Sequence, residues 1–282
     1  MSNDITIKKL LSLINLDDFV SIDIETTGLD IENDEIIEIS ACRFKNGVFF
    51  DEFTTLINPK LSIPKNISSL TSITNDMVKN APFIDDVISD LMLFVGKSPL
   101  VAHNINFDYN FIIKYLPLSN NNFTNAYLYD TLSLSRSFLY FYDNFSLGSI
   151  CNYYKINIEN AHRAGSDSLA TGKLFIHLIK EVASLPLSLI QKINTLTNKI
   201  KINNYKLYYD IIKVSVSLNK LNGLFKLESN YVTPNNIYEK KGSINSEIDN
   251  YPVNYFDEGG SFELNWEGYE KRISQIEFVK DS

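Results

Sequence analysis

Two acidic residues, Asp23 and Glu25, stand in the otherwise apolar, strand-like run of residues 19–29. Side chains on a strand alternate between its faces, so Ile22 and Ile24 face a core while Asp23 and Glu25 share the opposite face. Neighbouring carboxylates at the end of a buried strand repel each other and lose hydration, so packing does not explain them. Oxygen ligands at this spacing suit Mg²⁺ or Mn²⁺, and the pair therefore predicts part of a divalent metal site.

Two later motifs contain further candidate ligands. Residues 100–108, Leu-Val-Ala-His-Asn-Ile-Asn-Phe-Asp, form a short apolar run, a polar turn and an acid, Asp108, that opens an apolar-periodic stretch. Residues 161–167, Ala-His-Arg-Ala-Gly-Ser-Asp, place His162 five residues before Asp167, which opens another predicted helix. A single acid at a helix start is often only favoured by the helix dipole. The four acids and His162 together favour a single metal site.

The ordered set D-x-E, N-x-x-F-D and H-x-x-x-x-D resembles the DEDD exonucleases of the DnaQ-like family, in the subtype that carries histidine (DEDDh). The resemblance covers roughly residues 16–180 and implies a ribonuclease-H-like α/β fold. Residues 70–78 match the family's short helical stretch, with Ser72 where glycine is commoner.

This resemblance implies a two-metal site for Mg²⁺ or Mn²⁺. Asp23, Glu25 and Asp167 would hold one ion, Asp23 would bridge to the second, and Asp108 would support that second ion. His162 would act as the general base, since its unperturbed pKa near 6.5 suits that role.

The same resemblance implies a pocket for the terminal nucleotide, formed by the backbone of Thr26 and Thr27 together with Leu29. His103, Asn104 and Phe107 would line it. A structural hydrogen-bonding role for His103 is an equal alternative. The expected reaction is 3′→5′ hydrolysis that releases nucleoside 5′-monophosphates.

Hydrophobic periodicity predicts a mixed, roughly five-stranded sheet flanked by helices, with a C-terminal helical and irregular extension. The first three strands have short links and should be antiparallel, and the later strands alternate with helices and should be parallel. The predicted strands lie near 18–25, 35–45, 47–57, 99–103 and 126–130. The predicted helices lie near 5–14, 84–95, 107–115, 131–139, 146–154 and 165–182.

The chain divides into three predicted parts: an exonuclease domain at 1–182, a helical extension at 183–225, and a linker at 226–282. Residues 184–190 resemble the segment that follows the nuclease domain of DinG-like exonuclease/helicase fusions. Residues 269–275 resemble the start of their helicase domain, which would be truncated here and lack the ATP-binding loop. A surface amphipathic helix is the alternative for this last segment.

The net charge of −8 argues against nonspecific coating of duplex DNA. Residues 1–180 contain 14 basic and 21 acidic residues, so the acidity lies with the motifs. We expect the partner to be a single-stranded 3′ end, of DNA rather than RNA, bound through metal ions and base stacking. A helicase or a replication or repair protein is a further expected partner.

The N-terminus lacks a signal-peptide pattern and the sequence has no membrane-length apolar run, so we expect the cytoplasm and no membrane partner. Cys42 and Cys151 should be reduced core residues. An RNA-trimming exonuclease is the nearer alternative function. From another class, a catalytically silent module that binds 3′ ends, or a scaffold within a helicase assembly, is the rival.

Overall fold

The computed structural model of the chain describes residues 5–116, 123, 126–139, 142–158, 162–200 and 203–225. The predicted linker and helicase-like start at 226–282 lie outside these residues. Within the described parts, no individual helix has the length and apolar character needed to cross a bilayer. Ala164–Ser184 and Leu187–Lys199 reach those thresholds jointly, with a bend of 116° between them.

The sheet has the five strands and the mixed direction that the sequence predicts. Its order is β3-β2-β1-β4-β5. β1 pairs antiparallel with β2, and β2 with β3, whereas β4 lies parallel to both β1 and β5. The strands are β1 Asp18–Thr26, β2 Ile36–Lys45, β3 Val48–Leu56, β4 Leu100–Ala102 and β5 Leu128–Asp130.

Ten helices are described in chain order. They are α1 Ile7–Leu13, α2 Lys65–Thr71, α3 Asn75–Val78, α4 Ile84–Val95, α5 Ile105–Ile113, α6 Thr131–Phe138, α7 Leu147–Tyr153, α8 Ala164–Ser184, α9 Leu187–Ile200 and α10 Tyr205–Ser217. α5 begins two residues before its predicted start, which places Asp108 within its first turn rather than at its first residues.

Both faces of the central strand are covered. Ile22 and Ile24 belong to the cluster that packs β1 and β2 against α4 and α5. On the opposite face, Phe19 and Phe44 stack at a centroid distance of 5.1 Å and contact α8. A Cβ atom at Gly172 of α8 would lie 2.0 Å from the Phe44 ring, so this close approach of helix and sheet requires glycine.

The segment after α8 is a helical hairpin attached to the sheet domain. The sequence leaves residues 205–221 ambiguous, and the structure forms α10 there. α9 and α10 pack together, and α10 also contacts α8 and α1. The backbone N–H of Leu187 donates to the carbonyl of Leu221, and that of Leu224 donates to the carbonyl of Ala183. The described elements thus fall in one compact unit, Met1–Leu227.

Candidate active site

Three of the four predicted carboxylates converge at the end of β1. One oxygen from each of Asp23, Glu25 and Asp167 lies within 4.8 Å of the others. Asp23 and Glu25 share the face of β1 that is covered by α8, and Asp167 lies in the first turn of that helix. All three side chains are half-buried. The cluster therefore provides several carboxylate oxygens at the spacing that a divalent cation needs.

The electrostatics of the cluster oppose ionisation of its members. Burial raises the pKa of Asp23 well above its usual value, and nearby Asp108, Asp167 and Glu25 add to the effect. Burial, then Asp167 and Glu38, raise the pKa of Glu25 to about 7. Burial also raises the pKa of Asp167. A bound divalent cation would offset this repulsion by favouring the ionised carboxylates.

Asp108 lies next to this cluster but is held differently. It is 3% exposed, and its Oδ1 accepts the backbone N–H of Ile24 at 3.1 Å. Ile24 lies between Asp23 and Glu25, so this bond fixes α5 to β1 at the level of the carboxylates. Burial raises the pKa of Asp108, although the hydrogen bonds from its own backbone N–H and that of Ile24 oppose the rise.

His162 is exposed and adopts a left-handed backbone conformation, with φ of 63°. Its backbone N–H donates to Oδ2 of Asp167 at 3.1 Å. The bond links the residue that carries the imidazole to a member of the carboxylate cluster, and it leaves the imidazole on the solvent side. A positive φ is uncommon for residues other than glycine, so the surrounding loop holds this conformation.

An ion pair that the sequence analysis did not identify supports the start of α8. Glu38 lies on β2, directly opposite Glu25, and is 1% exposed. Its carboxylate receives Nε and Nη2 of Arg163 and also the backbone N–H of Ala164. An acid within the apolar run Ile-Ile-Glu-Ile requires a buried partner, which was the sequence signal for this pair.

Buried hydroxyl groups fix the same helix to the sheet. The Oγ of Ser21 donates to the carbonyl of Ser168 at 2.7 Å. The Oγ of Ser168 also contacts Ser40 Oγ at 2.8 Å, and Ser40 in turn contacts Thr54 at 2.9 Å. These bonds satisfy polar groups beneath α8 and hold Asp167, the residue before Ser168, over β1.

The predicted nucleotide-binding loop is organised by Asp34. Its carboxylate accepts the hydroxyl of Thr27 at 2.8 Å and occupies the space where a Cβ of Gly28 would lie. The backbone N–H of Thr27 donates to the carbonyl of Glu35, so this amide is already engaged. Thr26 is buried, and its hydroxyl donates to the carbonyl of Gly28. The loop thus presents Leu29 to solvent with 83% of its side chain exposed.

The three other predicted pocket residues occupy different environments. The ring nitrogens of His103 contact Thr131 Oγ1 at 2.9 Å and the carbonyl of Phe145 at 2.8 Å, and burial lowers its pKa. Because a carbonyl only accepts, Nε2 carries a proton, and both ring nitrogens are engaged within the protein. This geometry favours the structural alternative for His103. Asn104 is exposed, and Phe107 is half-buried against Phe111.

A mixed sheet with an acidic cluster at the end of its central strand defines a metal-dependent nuclease of the ribonuclease-H-like class. The family model for exonucleases (RNase_T) matches residues 20–175 of the chain. This protein therefore belongs to the DnaQ-like exonuclease family.

Among similar proteins is a PolC-type DNA polymerase III of Caldanaerobacter subterraneus, 36% identical over 190 residues, covering 67% of this chain and 14% of the relative. Another is the 3′-5′ exonuclease DinG of Staphylococcus epidermidis, 31% identical over 195 residues, covering 69% of this chain and 22% of the relative. The chain therefore spans less than a quarter of the length of either relative.

Solved structures support the fold. Cell-death related nuclease 4 matches with a TM-score of 0.50 and 18% identity, over 58% of this chain and 64% of that chain. The zinc-bound complex of E. coli exonuclease I with single-stranded DNA matches with a TM-score of 0.50 and 18% identity, over 58% and 40%.

Proposed function

We propose that this chain is a 3′→5′ exonuclease domain that removes nucleoside 5′-monophosphates from single-stranded DNA ends with two divalent cations. The observation that carries this proposal is the convergence of Asp23, Glu25 and Asp167 within 4.8 Å, beside buried Asp108. The 3′→5′ direction of degradation is supported by the name of the DinG relative, a 3′-5′ exonuclease. A single-stranded end as the substrate is supported by the exposed Leu29 and by the net charge of −8, which argues against nonspecific binding along duplex DNA.

The residues present fit Mg²⁺ or Mn²⁺. Their donors are carboxylate oxygens, which hard divalent ions prefer. Burial and neighbouring carboxylates raise their pKa values, and a nearby positive charge would favour their ionised forms. Bound there, the cations would stabilise negative charge on the attacking and leaving oxygens of the phosphodiester. Asp23, Glu25 and Asp167 would hold one cation, and Asp23 and Asp108 the other.

His162 would accept the proton of the attacking water on an imidazole nitrogen. Its backbone bond to Asp167 holds the residue beside the cluster, and its side chain is exposed to solvent. Leu29 would contact the terminal base, because an apolar side chain on a fixed loop can pack on any base face. Asn104 and Phe107 would line the opposite side of the same pocket.

The test is turnover of single-stranded DNA labelled at either end. With Mg²⁺ or Mn²⁺, a 3′ label should leave as a mononucleotide at once, a 5′ label should shorten stepwise, and EDTA should stop both. Asp23→Asn and Asp167→Asn should lose nearly all turnover. Asp90→Asn, an exposed acid on α4, is the matched control and should keep it.

Two outcomes separate the alternatives. Faster turnover of RNA than of a matched DNA oligonucleotide would assign the site to RNA trimming, because the discrimination rests on contacts to one 2′-hydroxyl. Binding to 3′ ends without turnover, across several metals, would indicate the silent module. The relatives are named for a DNA polymerase and for DinG, so we propose a replication or repair protein as partner.

A further inference from the structure

Asn204 lies in the turn between α9 and α10, and its side chain enters the end of the sheet. It is 3% exposed and adopts a left-handed conformation, with φ of 76°. Its Oδ1 accepts the backbone N–H of Asp130 at 2.9 Å, and its Nδ2 donates to the carbonyl of Asp130 at 3.1 Å and to Ser133 Oγ at 2.7 Å. All of the bonds of this buried amide therefore go to the end of β5 and the start of α6.

The amide of Asn204 pairs with Asp130 as a neighbouring strand would. Asp130 is the last residue of β5, the edge strand of the sheet, where a backbone N–H and carbonyl would otherwise lack a ladder partner. Pairing both groups with one amide fixes the position of this residue. Because buried peptide groups need partners, removing the amide would leave the Asp130 N–H unsatisfied, whereas the Asp130 carbonyl would keep its bond from Ser133 Oγ at 3.2 Å.

Asp130 in turn contacts the start of α5, the helix that carries Asp108. Its Oδ1 accepts the backbone N–H of Asn104 at 2.9 Å and that of Leu132 at 3.0 Å. Asn104, with φ of 80°, immediately precedes α5, the helix that carries Asp108. Asp108 then binds the N–H of Ile24 between the two acids of β1.

A second contact joins the same turn to α5 directly. Asn203, the neighbour of Asn204, donates from Nδ2 to Oδ1 of Asn106 at 3.0 Å. The turn of the helical hairpin thus contacts both the end of β5 and the first turn of α5. Both contacts bear on the segment of residues 104–108, which contains Asp108 and two predicted pocket residues.

We propose that Asn204 is a positioning residue for the metal site, acting through Asp130 and the Asn104 turn on Asp108. The hairpin of α9 and α10 is then a working part of the exonuclease rather than an independent extension. This inference rests on the proposed function, but a measurement of metal affinity tests it without requiring turnover of DNA.

The test uses the full chain and three variants. Asn204→Gly introduces a residue that adopts positive φ without strain, and it removes the side chain with its amide. Ser133→Ala is the matched control, because it removes one acceptor of the amide and the bond from Ser133 Oγ to the Asp130 carbonyl, but leaves both bonds between the amide and Asp130. Titration calorimetry with Mn²⁺, at a temperature well below unfolding, should give about tenfold weaker binding for Asn204→Gly, in the range found when groups that support metal ligands are removed. Ser133→Ala should bind Mn²⁺ like the parent.

Parent-like Mn²⁺ affinity in Asn204→Gly would overturn the proposal, as would equal losses in Asn204→Gly and Ser133→Ala. If Asn204→Gly does not fold, Asn204→Asp decides, since it keeps the acceptor for the Asp130 N–H and the same backbone conformation but loses both donated bonds. Parent-like affinity in Asn204→Asp would then refute the role of the amide. A parent that binds Mn²⁺ without degrading DNA would contradict the proposed function and leave the positioning test intact.

Discussion

Arg163 and Glu38 are joined by an ion pair in which Nη2 lies 2.5 Å from Oε1, although 125 residues separate them in the chain. Glu38 is buried, whereas 38% of the Arg163 side chain is exposed. The pair fixes α8 at its first residue, between His162 and Asp167. The positive charge of Arg163 also opposes the rise in the pKa of Glu25. The arginine therefore supports the site both by geometry and by charge.

Replacing Arg163 should destabilise the fold at the start of α8. Arg163→Ala leaves Glu38 as an uncompensated buried charge beside Glu25. We expect a loss of about 2 kcal/mol in unfolding free energy, below the usual cost of breaking a buried pair because Arg163 is partly exposed. Urea unfolding measures it, with Lys173→Ala, an exposed cation on the same helix, as the control. Equal stability of the two variants would show that the pair contributes nothing.

His162→Ala should be slow but should retain metal. Removing a positioned base costs on the order of 10²–10⁴-fold in rate. The bond from His162 to Asp167 uses the backbone N–H and stays in place, so the variant loses only the electrostatic influence of the imidazole on Asp167. Single-turnover rates on a 3′-labelled oligonucleotide and a Mn²⁺ titration measure the two effects. Retention of the parent rate in His162→Ala would assign the proton transfer to another group.

The sheet was predictable because each strand has a clear hydrophobic pattern. The lengths of the connections also indicate whether neighbouring strands are parallel or antiparallel. The run that contains Asp23 and Glu25 alternates with buried Ile22 and Ile24, and the structure has this alternation. Asp130 accepts the N–H of Leu132 at the start of α6, a role for which aspartate is favoured at helix N-termini.

Long-range polar contacts could not be predicted in the same way. No local pattern indicates that Asn204 should pair with Asp130, because the amide acts through tertiary position. The same holds for Ser21, Ser40 and Ser168, whose hydroxyls meet only after α8 lies on the sheet. Buried polar groups on different elements find their partners only in the folded state.

Ser72 offers a stability test that does not involve the site. It ends α2 with φ of 61° and is exposed, and glycine is commoner at this position in the family that the sequence resembles. Ser72→Gly should stabilise the protein by about 0.5–1 kcal/mol, because glycine adopts positive φ without a steric penalty.

Thermal unfolding should show a midpoint a few degrees higher for Ser72→Gly. Ser69→Gly, within the same helix and also exposed, should instead destabilise by about 0.5 kcal/mol, because glycine weakens a helix interior. A lower midpoint for Ser72→Gly than for the parent would contradict the strain at this residue.

Glu25 should make the metal-free protein less stable as the pH rises. Its pKa is raised from 4.5 in the unfolded chain to about 7 in the folded one, chiefly by burial and then by Asp167 and Glu38. Between these values the folded state binds more protons than the unfolded state, so the unfolding free energy falls with increasing pH. The fall should be complete above about pH 7 and amount to roughly 3 kcal/mol at most.

Glu25→Gln should remove the contribution of Glu25 to this dependence, because a neutral amide carries neither the repulsion nor the desolvation penalty of a carboxylate. The raised pKa values of Asp23, Asp108 and Asp167 leave a smaller dependence in the variant. In EDTA at pH 8 we expect Glu25→Gln to melt at a higher temperature than the parent, while the two should nearly coincide at pH 5. The melting temperature of Asp90→Asn should match that of the parent at both pH values. Mg²⁺ should raise the midpoint of the parent at pH 8 and that of Glu25→Gln much less, because the variant has lost a ligand. Parallel melting curves for the parent and Glu25→Gln across this pH range would show that Glu25 does not titrate as the cluster predicts.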